Sequence, residues 1–483
     1  MTTLDPRKRW LALLVLCLGD FMIVLDTTIV NVALPSIRTD LGFSQTSLVW
    51  VINAYMLTFG GFLLLGGRLG DLYGQRRVFL TGIVLFTLAS LVCGLANTQT
   101  LLIGARAVQG LGGAVVSAVA LSLIMNIFTE PDERAKAMGI FGFVMAGGGS
   151  VGVLLGGVLT DALSWHSIFL VNLPIGVVVY ALCLVVLPNT PGQAQGRLDV
   201  AGAITVTTSL MLAVYAIVNG NEVGWAAPRT LALLAAAALL LTAFLLIEAR
   251  VTAPLMPLSL FRVRNVATAN VIGVLWAAAM FAWFFISALY LQLVLQYTPM
   301  QVGLAFLPAN LIMAAFSLGL SAKLVMRFGN KLPLALGLVL AAVGLALFTF
   351  APVQGNFWWH VLPGMTLLGI GAGMALNPLL LIAMSDVAPS DSGLASGVVN
   401  TAFMMGGALG LAILASLADA RTQGLLARGA DTLTALNGGY HAAFFVGALC
   451  ALLAGIIGAM FLRAPIEHGP QSAGVGVPEA DRS

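Results

Sequence analysis

The sequence predicts an all-α protein that crosses a membrane many times. Of its 483 residues, 60% are hydrophobic and 8% are charged, whereas soluble domains contain about 25% charged residues. The apolar residues occur in blocks of about 20, the length at which a helix spans the hydrocarbon core of a bilayer. Lys and Arg are concentrated in alternate loops between these blocks. Soluble, fibrous and disordered chains are excluded by this composition.

Fourteen apolar blocks are candidate spans. They cover 10–35, 46–66, 78–97, 101–127, 138–161, 165–187, 199–218, 229–248, 267–295, 301–322, 332–352, 359–384, 393–416 and 440–462. Loops on the side of the N-terminus contain 17 of the 22 Lys and Arg residues, and the opposite loops contain four. Because Lys and Arg favour cytoplasmic loops, both termini are predicted to be cytoplasmic.

An internal repeat divides the chain. Glycines of span 5 recur in span 13 at an offset of 258, and residues of span 4 recur in span 12 at an offset of 259. The matched pairs are Gly139/Gly397, Gly148/Gly406, Gly152/Gly410, Gly110/Gly369, Gly112/Gly371 and Met125/Met384. The sequence therefore predicts a six-helix bundle over 10–187, two inserted helices over 199–248, a second bundle over 265–463 and a disordered cytoplasmic tail over 464–483. Parallel repeats with a site between the halves are a known transporter design.

Two acids, Asp20 and Asp26, lie within the first span. An ionised side chain at the bilayer centre costs at least about 2–3 kcal/mol, so a functional acid that loads and releases a proton is the first interpretation. The alternative is a structural acid, hydrogen-bonded to a neighbouring helix. Six residues place the two acids about 120° apart around a helix, so they cannot both face one point.

Arg106 is a further charge within a span. A buried Arg keeps its proton and needs an anion or backbone carbonyls nearby; an Arg that snorkels from a helix end is the alternative. Met365 occupies the equivalent position in the second half, and spans 9 to 14 contain no Asp or Glu at mid-depth. We therefore predict that proton coupling depends on the first half.

Other chemistry has little support in the sequence. None of the four lysines follows a glycine, so there is no phosphate-binding P-loop, and the four histidines are scattered. The four cysteines lie inside apolar blocks and indicate neither a disulfide nor a zinc framework. No cofactor, metal or nucleic acid is expected, and a membrane enzyme would need a polar cluster that the sequence does not offer. A channel is disfavoured as well.

Four stretches carry a family resemblance. The segments are GRLGDLYGQRR over Gly67–Arg77, LDTTIVNVALP over Leu25–Pro35, LIGARAVQGLGG over Leu102–Gly113, and the glycines Gly139, Gly148, Gly152, Gly156 and Gly157. Together they resemble the fourteen-span drug:proton antiporters of the major facilitator superfamily. Two departures are Val153, where the family's antiporter glycine motif has proline, and His166, where arginine is usual.

The resemblance implies a major facilitator fold and assigns roles to these residues. Asp26 and Arg106 are expected to take part in proton coupling, and Asp20 is an additional candidate from its position alone. The loop is expected to act as a cytoplasmic latch through Gly67, Arg68, Gly70, Asp71, Gly74, Arg76 and Arg77.

A substrate cavity can be composed from polar and aromatic residues within the spans. The candidates are Asn31, Trp50, Asn53, Tyr55, Phe281, Trp283, Phe284, Tyr290, Gln292 and Asn310. As a set they suit a large lipophilic substrate, although ordinary packing explains any single one. We expect a monomeric, proton-coupled exporter of lipophilic drugs or toxic metabolites in the cytoplasmic (inner) cell membrane. The alternative is a dedicated exporter of a single endogenous metabolite or antibiotic.

Overall fold

The chain folds into long, antiparallel helices. The computed structural model describes residues 6–188, 192, 198–252, 254–387 and 392–462. Within these ranges the structure contains helices and no strand. By length and composition, 13 helices could cross a membrane, and Pro299–Ala315 is a shorter apolar helix. The predicted tail over 464–483 lies outside the described residues.

Nine helices form the first half and the inserted pair. They are α1 (Pro6–Leu41), α2 (Trp50–Tyr73), α3 (Gln75–Gly94), α4 (Gln99–Ile127), α5 (Pro131–Ala162), α6 (Ser167–Leu170), α7 (Asn172–Val186), α8 (Val200–Val223) and α9 (Pro228–Arg250). Each predicted span of this region overlaps one long helix, except that the short α6 precedes α7 in the sixth span.

Seven helices form the second half. They are α10 (Arg264–Leu289), α11 (Pro299–Ala315), α12 (Ser321–Phe328), α13 (Lys331–Phe348), α14 (Leu362–Ser385), α15 (Ser392–Leu426) and α16 (Thr432–Phe461). The predicted span 301–322 is divided into α11 and α12 by a π-helical turn, Phe316–Leu320, in which Gly319 has a φ of +135°. Because of this local break, α11 is too short to cross a membrane alone.

The two ends of the bundle are defined by where the helices begin and end. At the terminal end, where α1 begins and α16 ends, Arg9 pairs with Glu133 at 2.7 Å and Arg264 Nε donates to Phe461 O at 2.9 Å. At the opposite, distal end, Gln99 Nε2 donates to Leu41 O at 3.0 Å. These contacts join helix ends that lie far apart in sequence.

Glycines set the packing of the first half. Gly148 of α5 lies against Val24 of α1, and Gly152 lies against Thr28, one helical turn further along. A Cβ on Gly148 would stand 3.2 Å from Val24 Cβ, so the backbones approach closely. Small residues allow this approach between helices in a membrane, where van der Waals contact drives association.

The second half repeats this contact. Gly406 of α15 lies against Val274 of α10, and Gly410 lies against Ala278. Because the glycines are offset by 258 and their partners by 250, α10 and α15 reproduce the pairing of α1 and α5 position by position. Likewise, Gly112 of α4 approaches Phe86 of α3, and Gly371 of α14 approaches Ala341 of α13. The sequence repeat therefore corresponds to a repeated arrangement of helices.

The inserted pair α8 and α9 packs across both halves. Ser209 Oγ of α8 donates to Ala237 O of α9 at 2.7 Å, which ties the pair together. On one side Thr207 of α8 contacts Gly61 of α2, and on the other Asn221 Nδ2 donates to Ser416 O of α15 at 2.7 Å. The pair thus touches the interface between α2 and α15.

Candidate functional site

A buried ion pair lies between α1 and α4. Asp26 and Arg106 have side chains that are 0% and 1% exposed, and Asp26 Oδ2 lies 2.5 Å from Arg106 Nη1. The two helices run antiparallel, so the middle of α1 faces the distal part of α4. Arg106 therefore does not snorkel to the surface, because its charge is met by an anion inside the bundle.

Amide and hydroxyl groups complete the shell of Asp26. Asp26 Oδ1 accepts from Gln109 Nε2 at 2.7 Å and from Asn172 Nδ2 at 2.9 Å. Ser90 Oγ accepts from the same two amides, at 2.7 and 3.3 Å. The carboxylate thus accepts three hydrogen bonds, one of them from a cation, which is the condition under which a buried charge is tolerated.

Arg106 is held from its other sides by backbone and rings. Its Nε donates to Val51 O at 2.9 Å, and its Nη1 also donates to Gln109 Oε1 at 2.7 Å. The guanidinium carbon lies 4.5 Å from the centroid of Tyr55 and 5.7 Å from that of Phe169. Rings at these distances attract the cation, so Arg106 retains favourable contacts if Asp26 loses its charge.

Asp20 forms a separate site on the same pair of helices. Its Oδ1 accepts from Ser117 Oγ at 2.5 Å, and its side chain is 0% exposed. Its Oδ2 is buried and has no hydrogen-bond partner among the described residues. Both acids of α1 thus contact α4, at Ser117 and at Arg106, but they do not meet at one point. An unpaired buried carboxylate oxygen is costly, which makes Asp20 a second candidate for proton binding.

Among its described residues, the second half has no counterpart of this network. The 250-residue offset between α1 and α10 places Trp276 where the first half has Asp26, and Asn270 where it has Asp20. The offset of 259 between α4 and α14 places Met365 at the position of Arg106 and Leu368 at that of Gln109. Trp276, Met365 and Leu368 are all 0% exposed. One scaffold therefore holds a polar network in one half and a hydrophobic core in the other.

The predicted cavity residues make several different kinds of contact. Asn53 Nδ2 donates to Ala408 O at 2.9 Å, and Gln292 Nε2 donates to Val32 O at 2.8 Å. Both bonds link the first half to the second on the distal side. These two amides join the halves, and their contact with substrate stays a prediction.

The other amide and phenol candidates differ in their hydrogen bonding. Asn31 Nδ2 donates to Thr27 O and Thr28 O of its own helix, each at 3.3 Å. Tyr290 Oη donates to Pro352 O at 3.0 Å. Asn310 is 5% exposed, and its Nδ2 has no hydrogen-bond partner within the described part of the chain.

The aromatic candidates form two kinds of contact. Phe284 of α10 stacks on Phe306 of α11 with ring centroids 5.5 Å apart, and the ring of Trp283 lies tilted against Phe306 at 6.2 Å. Phe281 meets Phe403 edge-on at 5.9 Å. Trp50 instead lies 6.4 Å from Tyr215 of the inserted helix α8. A role in substrate binding stays a prediction for all of them.

The predicted latch loop lies at the terminal end. Gly74 has a φ of +94°, a conformation that glycine adopts readily, and a Cβ on Gly70 would stand 3.0 Å from Val119. Arg76 Nη2 donates to Leu184 O within the first half at 2.5 Å. Arg68, Asp71 and Arg77 are exposed. For the residues the structure describes, no hydrogen bond or ion pair joins this loop to the second half.

The glycine motif of α5 contacts the helix that carries Asp26. A Cβ on Gly156 would stand 2.6 Å from Ile29 O of α1, and a Cβ on Gly157 would stand 2.7 Å from Pro299 O of α11. Gly67 and Gly139 are less constrained: a Cβ on Gly67 would meet Ala118 at 3.9 Å, and one on Gly139 would meet no described atom within 4 Å. Helix α5 thus touches both α1 and the second half.

Val153 continues the helix where the family's motif has proline. Helix α5 runs from Pro131 to Ala162. A Cβ on Gly303 of α11 would stand 2.9 Å from Val153 O, so the two backbones are in close contact there.

Sequence reasoning missed Ser90, Gln109, Asn172 and Ser117. Gln109 follows Arg106 by three residues, the spacing that puts two side chains on one helix face. Ser90 and Asn172 are polar residues within apolar blocks, as many others are, and nothing in the sequence says which of them meet. Only the packing of α3, α4 and α7 around α1 brings them to Asp26.

Similarity to known proteins extends over most of the chain. A family model described as the Major Facilitator Superfamily matches residues 16–411. The puromycin resistance protein pur8 of Streptomyces alboniger is 38% identical over 484 aligned residues, covering 99% of this chain and 95% of that protein. The cephamycin export protein CmcT of Amycolatopsis lactamdurans is 40% identical over 417 residues, covering 86% of each. A crystal structure of the nucleoside transporter NupG has a TM-score of 0.65 at 11% identity, covering 94% of this chain and all of that one, and is similar in fold.

Proposed function

This chain belongs to the Major Facilitator Superfamily, and on that premise we propose that it is a proton-coupled exporter of lipophilic drugs or antibiotics. The single observation that carries the coupling is the fully buried pair of Asp26 and Arg106. Of these two, Asp26 can take up a proton, because Arg keeps its charge in proteins. Protonation of Asp26 is the chemical event on which the cycle depends.

Protonation changes the forces between α1 and α4. Two unit charges about 4 Å apart attract by about 4 kcal/mol at an effective dielectric of 20, and a neutral Asp26 gives up that attraction. Arg106 then keeps Val51 O, Gln109 and the Tyr55 ring. The proton thus loosens α1 from α4 without leaving the cation unsupported.

Movement of α1 reaches the second half through α5. Gly152 and Gly156 of α5 rest on α1, and Gly157 rests on Pro299 of α11. Because these contacts join backbones with little side chain between them, α1 and α5 move together. A change at Asp26 is therefore transmitted to the interface between the halves.

We propose that this arrangement is a state open toward the cytoplasm. The distal side is closed by the bonds of Asn53 and Gln292 between the halves. At the terminal end, Asp71 of the latch loop is exposed. We assign the terminal end to the cytoplasm, since 17 of the 22 Lys and Arg residues lie in its loops. In the opposite state, we propose, Asp71 and its arginines close the cytoplasmic side.

The full topology is part of the same proposal. Fourteen spans result if α11 and α12 together cross the membrane, with both termini in the cytoplasm. The protein is then a multi-pass protein of the cytoplasmic (inner) cell membrane that works as a monomer, with small lipophilic substrates and protons as its ligands.

A dedicated exporter of one compound is the second candidate. It is favoured by the names of the two relatives, since one is a puromycin resistance protein and the other a cephamycin export protein. A transport panel of ethidium, puromycin, cephamycin and lincomycin separates the two: several substrates favour multidrug export, and one favours dedicated export.

Proton coupling is tested in proteoliposomes loaded with a pH-sensitive dye. An imposed proton gradient should drive transport by the wild-type protein and not by Asp26→Asn. Asp161→Asn, at an exposed acid of α5, is the matched control and should retain transport. Proton-driven transport by the Asp26→Asn variant at the wild-type rate would contradict the proposal.

A further inference from the structure

Two carboxyls meet at the terminal end of the inserted helices. Asp199 caps α8, its Oδ1 accepting from Gly202 N at 2.8 Å. Glu248 lies near the end of α9, and its Oε2 accepts from Met256 N at 3.0 Å. Asp199 is 5% exposed and Glu248 is 3% exposed. Each carboxyl therefore has one oxygen bonded to backbone.

The other two oxygens face each other over Gly202. A Cβ on Gly202 would stand 2.5 Å from Asp199 Oδ2 and 2.8 Å from Glu248 Oε1. The two oxygens are therefore at most 5.3 Å apart. As ionised groups, both oxygens are buried acceptors without a donor among the described residues. Because two carboxylates can only accept, a hydrogen bond between them requires a proton.

We propose that Asp199 and Glu248 share one proton and form a proton-binding site on the inserted helices, distinct from the Asp26 site. Like charges in contact cannot both remain ionised without a large cost, and one shared proton removes that cost. The proposal does not depend on proton-driven export, since the pair would hold its proton in any conformation that keeps α8 and α9 together.

No other cation in the described structure occupies this place. The arginines nearest in sequence, Arg250, Arg262 and Arg264, are exposed, as is Arg68 of α2. The acid Asp71 of α2 is exposed as well.

The neighbouring surface is apolar and leaves little space. The surrounding cluster consists of Leu65 of α2, Ala203 and Leu255, with Leu64 and Leu69 beside it. Gly202 leaves no room for a Cβ between the carboxyls, and a metal such as Ca²⁺ needs six or more oxygen ligands. Arg197 lies outside the described residues, and the experiment below distinguishes it from a proton.

The shared proton anchors the connector, residues 254–263, which joins the inserted pair to the second half. The Met256 N–H bond to Glu248 holds this segment, whose Leu255 packs against Leu65 of α2. Further along, Leu260 packs with Val398 of α15. Loss of the proton puts two negative charges in contact and weakens this anchor. Proton occupancy of the pair thus sets how firmly the connector holds α2 and α15 at the cytoplasmic side.

Infrared spectroscopy of the purified full chain in lipid tests the shared proton. The wild-type protein should show a carboxylic C=O band that titrates with pH, and both Asp199→Asn and Glu248→Gln should lose it. The band should persist in Glu222→Gln, an exposed acid of α8, and in Asp26→Asn. A band that survives in both Asp199→Asn and Glu248→Gln, or the absence of any protonated band at this site because Arg197 neutralises the pair, would overturn the proposal.

Hydrogen exchange of the connector provides a readout on the wild-type chain itself. After correction for the intrinsic effect of pH, amides of residues 254–263 should lose protection as the shared proton leaves. Asp199→Asn should keep that protection over the same pH range, because its amide can donate to Glu248. Equal pH dependence in the wild-type protein and in Asp199→Asn would also overturn the proposal.

Discussion

Replacing Asp26 by Asn removes the charge that opposes Arg106 while keeping the shape of the side chain. The Asn oxygen can still accept one of the three hydrogen bonds that Asp26 accepts, but the ion pair at 2.5 Å is gone. Breaking a buried pair by removing one partner costs about 3–5 kcal/mol. Because Val51 O, Gln109 and the Tyr55 ring remain on Arg106, we expect the lower end, about 3 kcal/mol.

A double variant separates the cost of the stranded charge from the loss of coupling. Arg106→Met copies Met365 of the second half, so Asp26→Asn with Arg106→Met removes both charges. Removing both charges of a buried pair is often neutral or stabilising. We expect the double variant to recover most of the stability lost in Asp26→Asn, yet to remain inactive in proton-driven transport.

The assay is a double-mutant cycle of thermal unfolding midpoints in detergent, combined with transport in proteoliposomes. A loss of about 3 kcal/mol should lower the midpoint by several degrees. If the double variant were as unstable as the two single changes added together, Asp26 and Arg106 would not interact energetically. If the double variant transported with a proton gradient, the pair would not be the coupling site.

Three further predictions concern separate parts of the chain. Asp20→Asn should leave transport coupled if Asp26 is the carrier. It should also raise thermal stability, because an amide removes the negative charge of a buried carboxylate whose Oδ2 has no hydrogen-bond partner among the described residues. A fully uncoupled variant would make Asp20 the carrier instead. Gly410→Ala should lower the free energy of unfolding by about 1–3 kcal/mol, because a Cβ there meets Ala278 of α10. Gly139→Ala should raise it by up to about 1 kcal/mol, because a Cβ there meets no described atom within 4 Å. Equal thermal midpoints of the two variants would refute the packing assignment. Hydrogen bonds from Thr434 lower the pKa of Asp431, which caps α16. The contribution of this cap to stability is therefore present above the ordinary Asp pKa and is lost as pH falls through the lowered value. In thermal scans, Asp431→Ala should be less stable than wild type at neutral pH and should lack this dependence on acid pH.

Family and export function could be predicted from the sequence, and both are confirmed by the comparisons. The membrane helices could be predicted as well, because a span must satisfy every backbone group internally and is apolar for about 20 residues. The break within the predicted span 301–322 could not be predicted. A π-helical turn at Phe316–Leu320 shortens the regular helix, and such a break depends on local packing that hydropathy does not record.

The charged residues of the candidate site could be predicted, because burying a charge in the bilayer costs free energy. Asp26 and Arg106 stand out because an ionisable side chain inside the bilayer is rare. The bonds of Asn53 and Gln292 to carbonyls of the opposite half could not be predicted from the sequence, where both residues appear only as polar residues in a span. Hydropathy does not show which way an uncharged amide points, so a bond between helices and a ligand contact are indistinguishable in sequence.

The two halves share their glycine contacts but not their polar network, and this asymmetry constrains the mechanism. A second half with Trp276 and Met365 in place of the ion pair has no charge to titrate at the matching point, so it cannot respond to a proton there. A change of charge at Asp26 must therefore reach the second half through contacts between the halves. Helix α5 lies close to α11, and α2 lies close to α15. Since α8 and its connector touch both α2 and α15, the inserted helices lie on one of these two routes, where a second proton could set how readily the halves part.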